Sequence, residues 1–396
     1  MSDVLNRRDA IAFGGAAFIA LVGGKLCEAD SSGLPLPEGD AYAPWRLWND
    51  PSVRGTPLAL VAAAVLAANP HDTQPWLFVV EGDAIEIYAD LSRNLGAMDP
   101  YVRELHLGLG CAIENMVLAA ASNGFVAEVE VTPGSLNTLD DRQSHTRAAT
   151  VHLAKRAPIA PDPLCLAIPE RHTNRYAYDR AKAPAAEWLR FASDPNIGDG
   201  IRVILFEDGE QRRLFDAAII EATEAINADA AMIADSDRWF RDSSQAIDAH
   251  RDGPTLEAAG LPFFTLLFAR AFSVSAETSH QGWLKQTREV QVPTAPMVGL
   301  IAVQDRYDRG DAIAAGRAWQ RLHLNATTHG MAMQPVNQPI EMIDRERQLG
   351  RAPAWAGRIA RLTGDDWQAT FSFRAGFATQ SAPPSPRRRL KDVLMG

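Results

Sequence analysis

Apolar and polar residues follow two periods along the first half of the chain, one typical of strands and one typical of helices. Short apolar or alternating runs flank the turn Glu81-Gly82-Asp83, which predicts two strands joined as a hairpin. Between Leu105 and Ser122 apolar residues recur at helical spacing, and Asn123-Gly124 is a helix stop. The elements predicted for this half are a helix over 56–67, strands over 77–80 and 84–88, a helix over 105–122, and strands over 126–131 and 149–153.

A proline-rich stretch separates this half from the next. Residues 157–169 hold Pro158, Pro161, Pro163 and Pro169, a composition that favours an extended connector over a helix or an interior strand. Beyond it the pattern predicts a second half. Its expected elements are a helix over 184–192, a strand over 201–206, a mostly helical stretch to about 270, a strand over 295–304, a helix over 311–329 and a strand over 367–373.

One helix of each half can be aligned with the other without a gap. Residues 110–124 and 316–330 coincide at Gly110/Gly316, Ala112/Ala318, Leu118/Leu324, Ala120/Ala326 and Gly124/Gly330. Two unrelated core helices would share some Ala and Leu by chance, but both of these helices end at a glycine and lie next to similar strands. We therefore expect a duplicated α+β unit with antiparallel-rich sheets, which in one chain would imitate a symmetric homodimer.

These patterns divide the chain into segments. The expected order is a signal segment over 1–29, a first half over 30–156, the connector over 157–169, a second half over 170–380 with an insertion or lid at about 207–290, and a basic C-terminal arm over 381–396. The arm holds Arg387, Arg388 and Arg389 and is expected to leave the fold. These arginines are therefore interpreted as surface charge and not as ligands.

The first residues are typical of a twin-arginine export signal. Arg7 and Arg8 precede fifteen uncharged residues, Ala10 to Gly24, and Lys25 follows. As a helix this run would span about 22 Å, less than the ~30 Å hydrocarbon core, so an uncleaved membrane anchor is the weaker alternative. We expect export by the twin-arginine machinery to the periplasm or cell envelope, a route that carries folded proteins with their cofactors.

The charge and the cysteines narrow the classes of function. The 49 acidic and 39 basic residues give a net charge of −10, and an acidic surface argues against sequence-independent binding of nucleic acid. Cys27, Cys111 and Cys165 are widely spaced and offer no zinc-site pattern. We therefore expect neither a metal site nor a nucleic-acid partner, and the sequence predicts no stable protein partner.

The loop after the first predicted helix holds more hydrogen-bonding side chains than a turn needs. Between that helix and the next strand lie Asn69, His71, Asp72, Thr73 and Gln74. Pro75 keeps Gln74 out of the helical region, so the polar groups lie on a stiff loop. An elaborate turn would explain one or two of these residues, whereas a ligand-binding loop explains the set.

The second half opens with two arginines on either side of a hydroxyl. Arg171, Thr173 and Arg175 suit a phosphate monoester, because the fork of an arginine can bind two oxygens and the hydroxyl can donate a further bond. On these residues alone, a solvated basic turn remains the alternative.

Both segments resemble the nitroreductase superfamily of flavoproteins, whose loop commonly reads Ser-x-x-Asn-x-Gln-Pro-Trp. Asn69 stands in place of the serine and Asp72 in place of the asparagine, and Gln74-Pro75-Trp76 agree. The change at Asp72 matters because an ionised carboxylate accepts hydrogen bonds but donates none. The 171–175 segment resembles the Arg-x-Ser/Thr-x-Arg segment that holds the FMN phosphate and ribityl chain in this family.

Two further segments resemble the same family. Met333, Gln334 and Pro335 correspond to the segment that passes the flavin near N5, and Arg374 to the basic residue of the closing strand that reaches the phosphate. With the duplication, the twin arginines and a Pro-Pro-x-Pro-Arg-Arg tail, residues 42–396 are similar to the fused-dimer Acg group. The resemblance implies a nitroreductase-like pseudo-dimer whose FMN ligands are Asn69, Asp72, Gln74, Arg171, Thr173, Arg175, Met333, Gln334, Pro335 and Arg374.

The resemblance implies an FMN-dependent oxidoreductase of the nitroreductase type. A small-molecule donor would pass electrons through flavin N5 to a small-molecule acceptor, with the chemistry carried by the cofactor and no side chain predicted as an obligatory acid or base. Export complicates this hypothesis, because NAD(P)H is not expected to be abundant outside the cytoplasm. The alternatives are a non-catalytic exported flavoprotein that sequesters or stores FMN, and an exported binding protein that has lost the flavin.

Overall fold

A computed structural model describes residues 39–138, 144–194, 197–198, 200–261 and 276–395. The signal segment expected over 1–29 lies outside these residues, as does the end of the predicted helical stretch, 262–270. In the part of the chain that is described, Arg103–Asn123 is long and apolar enough to cross a membrane, and 78% of the window that qualifies is buried inside the protein.

The described residues form helices and strands in mixed order along the chain. The strands are β1 Trp76–Glu81, β2 Ala84–Asp90, β3 Phe125–Val131, β4 His145–Lys155, β5 Arg202–Phe206, β6 Met297–Val303, β7 Ala332–Pro335 and β8 Gln368–Gly376. The helices are α1 Ala43–Leu47, α2 Pro57–Ala64, α3 Arg103–Ala120, α4 Pro163–Leu166, α5 Ala186–Ala192, α6 Gly209–Asn227, α7 Ala230–Asp237, α8 Ser244–His250, α9 Ala276–Gln286, α10 Val292–Thr294, α11 Arg309–Thr328, α12 Gln338–Gln348, α13 Ala354–Thr363 and α14 Leu390–Val393.

The strands form two sheets with the same topology. The first has the order β1-β2-β4-β3 and the second the order β5-β6-β8-β7, and all of these neighbours are antiparallel. Each sheet also has a register shift in the corresponding pair, at Ile87/Tyr88 in the first and at Ile301/Ala302 in the second. The predicted α+β class, with antiparallel sheets and helices in two tandem halves, is confirmed.

The two helices that align in sequence, α3 and α11, cross each other at their shared glycine. A Cβ on Gly110 would collide with the carbonyl oxygen of Ile313, and a Cβ on Gly316 would collide with the carbonyl oxygen of Leu107. Each glycine therefore lies against the equivalent turn of the other helix, which is the reciprocal contact expected of a two-fold axis. Only glycine allows the two backbones to approach this closely.

Side chains on both sides of this crossing also form equivalent pairs between the two helices. Gln320 donates a hydrogen bond to Asn115 at 2.8 Å, and Arg321 pairs with the buried Glu114 at 3.0 Å. Near the beginnings of the two helices, the rings of Tyr101 and Tyr307 meet edge to face with centroids 5.0 Å apart. The duplication thus extends beyond the positions that the sequence alignment matched.

Burial explains why the sequence patterns of the two central strands, β2 and β6, differ. Buried and half-buried residues alternate along β2, whereas all seven residues of β6 are buried. In β6, Ile301 and Val303 pack in the core around the central helices, while Val298 and Leu300 pack in a second cluster with α6, α12 and α13. Strand β6 is covered on both faces, so its sequence is continuously apolar.

A network of buried acids surrounds one arginine at the beginning of α3. Arg103 pairs with Asp344 at 2.7 Å and with Glu104 at 3.3 Å, and Asp99 accepts hydrogen bonds from the first turn of the helix. Burial raises the pKa of Glu104 to about 7 and that of Asp99 to about 6. Burial and the Glu104 charge raise the pKa of Glu341 as well. We call these five residues the acidic network.

The segment predicted as an insertion or lid lies between β5 and β6. In the first half, the corresponding strands are joined by a short turn at Gly82, whose φ of 56° suits glycine. The two ends of the insertion are joined by the buried Arg212, which donates to the carbonyl oxygens of Val292 at 3.1 Å and Ala295 at 3.0 Å. The insertion therefore leaves the second sheet and returns to it at nearly the same place.

Two expectations about the connectors are wrong. Pro163 begins a short helix within the predicted extended connector, because Asp162 caps it by accepting from the N–H of Leu164 at 2.7 Å and proline is well suited to a first turn. The C-terminal arm does not leave the fold: the N–H of Met395 donates to the carbonyl oxygen of Phe78 in β1 at 2.8 Å. Helices α12 and α13 were not predicted.

Candidate functional site

The polar loop between α2 and β1 has an unusual backbone. His71, Asp72 and Gln74 have φ values of 46°, 50° and 49°, in the left-handed region that side chains other than glycine rarely adopt. The loop is held by Asn69, whose Oδ1 accepts from the N–H of Gln74 at 2.8 Å. Such strain persists only where surrounding contacts impose it, and it is concentrated at functional sites.

The segment that opens the second half lies against this loop. Arg171 is 2% exposed and donates to the carbonyl oxygen of Leu66, just before the loop, at 3.2 Å. Burial and the neighbouring charge of Arg387 lower the pKa of Arg171 to about 9. Arg175 donates to the carbonyl oxygen of Ala258, and burial lowers its pKa too. Among the described residues, neither the buried Arg171 nor the half-buried Arg175 has a carboxylate partner of its own.

Arg387 of the C-terminal arm is the third guanidinium group of the site. It is 2% exposed, forms an ion pair with Asp72, and lies 4.7 Å from the ring of Trp45. The next residue is also engaged, because the N–H of Arg388 donates to Oε1 of Gln74 at 2.7 Å. The expectation that Arg387 and Arg388 are surface charge is therefore wrong; the extended arm crosses the polar loop and pairs with it.

Asp72 is the carboxylate at the centre of these cations. Burial raises its pKa to about 7, although Arg387 and a hydrogen bond from Asn69 act in the opposite direction. Burial and Arg175 lower the pKa of the adjacent His71 to about 4, which favours the neutral imidazole near pH 7, and its Nε2 lies 3.0 Å from Oγ of Ser236. We call Arg171, Arg175, Arg387 and Asp72 the cationic cluster.

Several polar atoms of this region are buried without a hydrogen-bond partner among the described residues. They are Asp72 Oδ2, Thr73 Oγ1, Arg171 Nε, His323 Nδ1 and Arg387 Nε. Buried polar groups are normally paired, so each such atom requires an explanation. Three guanidinium groups, one carboxylate of raised pKa and two unused Nε–H donors form an arrangement that favours a small anion such as a phosphate monoester.

The other predicted segments form a neighbouring wall. Thr173 is bridged to Met333, and Arg374 donates to Oε1 of Gln334 and to the carbonyl oxygen of Tyr176, both at 2.7 Å. Arg374 also lies 3.8 Å from the ring of Tyr178. Most of its donors are used in joining β7 and β8 to residues 174–178, so the structure gives Arg374 a positioning role in this wall.

The insertion covers both sides of the site. The N–H of Gly253 donates to the carbonyl oxygen of Asp72 at 3.1 Å, and Nε2 of Gln74 donates to that of Arg251 at 2.8 Å. On the other side, a Cβ on Gly260 would collide with the backbone of Arg175. The insertion is therefore packed on the polar loop and on the arginine segment at once.

Comparison with known proteins places the chain in a family. The Mycobacterium tuberculosis H37Rv protein named "Putative NAD(P)H nitroreductase acg" is 34% identical over 340 residues, which cover 84% of this chain and 93% of that protein. The chain belongs to the acg nitroreductase family. A second relative from the same strain, "Putative NAD(P)H nitroreductase Rv3131", is 27% identical over 346 residues, covering 85% of this chain and 90% of the relative. No family model matches.

Solved nitroreductase structures are similar to parts of this acg-family chain. A nitroreductase from Desulfitobacterium hafniense, crystallised with bound FMN, matches 60% of this chain and 99% of its own at 15% identity, with a TM-score of 0.37. A structure described as "a putative nitroreductase" from Anabaena variabilis matches 74% of this chain and 69% of its own at 12% identity, with a TM-score of 0.39.

In this acg-family member the structure brings the predicted site residues together in two groups. Asn69, Asp72, Arg171 and Arg175 belong to the region of the cationic cluster, and Thr173, Met333, Gln334, Pro335 and Arg374 form the neighbouring wall. The amide of Gln74 is occupied by Arg251 and the C-terminal arm. Their roles as flavin ligands stay predictions.

Sequence reasoning missed the contribution of the arm and of its aromatic neighbour. Trp45 donates through Nε1 to the carbonyl oxygen of Ser385 at 2.7 Å, and its ring meets that of His172 edge to face at 4.6 Å. These contacts fix the arm beside Arg171. The available signal was the Pro-Pro-x-Pro-Arg-Arg tail, whose prolines predict an extended segment that can cross another surface instead of a free end.

Proposed function

We propose that this protein binds FMN and acts as a nitroreductase-type oxidoreductase. The observation that supports this most directly is the cationic cluster, in which buried guanidinium groups exceed carboxylates and keep unused donors. Membership of the acg family supports the same cofactor, because solved nitroreductases from Desulfitobacterium hafniense and Desulfovibrio desulfuricans contain bound FMN.

The residues present fit such a group. Arg171 and Arg387 would hold the phosphate through their unused Nε–H donors, and Arg175 would add charge beside them. Asn69 and Asp72 would set the polarity beside these arginines, and the backbone of Met333 would line the other side. Bound FMN supplies hydride and single-electron chemistry, while the protein binds and orients it and the insertion excludes water.

The donor and the acceptor are both proposed to be small molecules. The acg-family relatives are named for NAD(P)H, which makes a nicotinamide the first donor to test. Export by the twin-arginine route, with the flavin loaded before export, is part of the same proposal and is supported by Arg7, Arg8 and the uncharged run after them.

A visible spectrum of the purified protein tests the cofactor. Yellow flavin absorbance, released as FMN on denaturation, is the expected result, and a colourless protein that takes up no added FMN would overturn the proposal. Anaerobic NADH or NADPH should then bleach the flavin, and a small-molecule oxidant should restore it. Flavin that stays oxidised with either nicotinamide would instead support the sequestering function.

A further inference from the structure

Asp72 forms an ion pair with Arg387, a residue that also has an unused donor. Its side chain is 9% exposed, one oxygen binds Arg387, and Oδ2 has no hydrogen-bond partner among the described residues. Arg387 keeps its Nε–H unused, and so does Arg171. The carboxylate and a bound anion would therefore both lie against the guanidinium group of Arg387, with Arg171 beside it.

Charged groups face Asp72 from every element around it. Arg387 comes from the C-terminal arm, Arg93 from the turn after β2, Asp252 from the insertion, and Arg171 and Arg175 from the start of the second half. Among these groups, Asp252 is already held by Arg93 and by Arg241 at 2.6 Å. Of the two acids, Asp72 and Asp252, Asp72 is thus the one whose charge depends more on what Arg387 binds.

We propose that Asp72 determines the affinity and charge selectivity of the site: it is the counter-ion of Arg387 in the ligand-free protein, and it takes up one proton from solvent when a phosphate monoester binds Arg171 and Arg387. This inference rests on the proposed function, since FMN is the monoester expected there. The proton binds a carboxylate oxygen, no other bond is made or broken, and the protonated group becomes a donor instead of a second negative charge beside the phosphate.

The direction of the pH dependence follows from this exchange. Below the pKa of Asp72, which burial raises to about 7, the acid is already protonated and binding takes up no proton there. Above it, each binding event takes up a proton, so the dissociation constant rises up to tenfold per pH unit. The phosphate's own second ionisation, near pH 6, changes affinity in the opposite sense and at lower pH.

The test is a titration of the full-length apoprotein with FMN between pH 5.5 and 8, below the pKa of about 9 of Arg171, compared with Asp72→Asn. The wild type should lose affinity as the pH rises above 7, and the variant should keep its affinity there. Asp392→Asn is the matched control, because this arm carboxylate is 30% exposed and pairs with Arg389 outside the cluster. It should behave as the wild type does. A variant that retains the wild-type loss of affinity would overturn the inference.

Proton uptake can also be measured without any variant. Calorimetric titrations at pH 8 in buffers of different ionisation enthalpy should show uptake approaching one proton for FMN and almost none for riboflavin, which lacks the phosphate. Equal uptake for both ligands, or none for FMN, would overturn the role of Asp72 while leaving FMN binding intact. Absence of FMN binding at every pH would instead overturn the proposed function.

Discussion

The cationic cluster and the acidic network are both buried sets of charges, but they are unbalanced in opposite directions. The first has three guanidinium groups around one carboxylate, and the second has four carboxyl groups around Arg103. An excess of acid can be neutralised by protons, and burial together with the neighbouring acids raises the pKa of Glu104 and of Glu341. An excess of arginine cannot lose its charge near neutral pH, so it requires an anion. The excess of acid therefore predicts a pH-dependent stability, and the excess of arginine predicts a bound anion.

Removing the central cation of the acidic network should have the largest effect. Arg103→Met leaves the buried Asp344 without its ionic partner, and breaking a buried pair costs about 3–5 kcal/mol. Urea unfolding at pH 7.5 measures the loss. Arg309→Met is the matched control, since Arg309 begins the equivalent helix α11 and is half-buried. Equal losses in the two variants would show that the acids around Arg103 add nothing.

Removing one cation of the cationic cluster should instead affect the ligand. Arg171→Ala is expected to weaken FMN binding by about 1 to 3 kcal/mol, the loss of one charge-assisted hydrogen bond. Fluorescence titration of the apoprotein measures it, with circular dichroism to check folding. Unchanged affinity would remove Arg171 from the site.

The acidic network should make stability fall as the pH rises. The pKa of Glu341 is higher in the folded than in the unfolded protein. Its contribution to the free energy of unfolding is therefore complete below about pH 4.5 and is lost as the pH rises through the raised pKa. In Glu341→Gln, the fall of the unfolding free energy with pH should be smaller by about 1.4 kcal/mol per pH unit, which is the contribution of one proton. Unfolding free energies at pH 5, 6.5 and 8 measure the slope, and identical slopes would show that Glu341 does not titrate there.

The smallest effect is expected at the end of the arm. Arg389 is 49% exposed and pairs with Asp392 three residues later, and such surface pairs contribute about 0–1 kcal/mol. Arg389→Ala should leave both unfolding and FMN titration nearly unchanged, in contrast to Arg171→Ala. A large loss of FMN affinity would extend the cationic cluster to this residue.

Hydrophobic periodicity predicted the central helices and strands, because the burial of apolar side chains determines the sequence pattern of these elements. Strands β1, β2 and β6 and the helices α3 and α11 were predicted from apolar spacing, whereas the crossing at Gly110 and Gly316 was not predicted. Helices α12 and α13 were missed: much of α12 is polar yet buried, including Gln338, Glu341 and Asp344. The buried polar residues of α12 have partners in other elements, so they resemble a solvated segment in the sequence. In α13, by contrast, Trp355, Ile359 and Leu362 recur at helical spacing, and that signal was overlooked.

The candidate site could be predicted only segment by segment. Asp72 and the arginines at 171 and 175 were recognised from their local patterns and from the family resemblance. The ion pair between Asp72 and Arg387 joins residues 315 positions apart, and the arm has no periodicity that would indicate burial. The strained backbone of the loop was likewise not predicted. His71 and Asp72 are residue types that adopt a positive φ more often than most, but such residues are still uncommon and no glycine marks the loop.

The glycine crossing has a mechanical consequence. Because Gly110 and Gly316 each lie under a carbonyl of the opposite helix, neither helix can slide or rotate without displacing the other. Both helices also contribute to one hydrophobic cluster, which contains Leu60 of the first half and Phe373 of the second. The halves therefore share their central core, although the second half has a further cluster of its own beside α6, α12 and α13. Heating should melt both halves in a single cooperative transition in which neither survives as a separate folding unit.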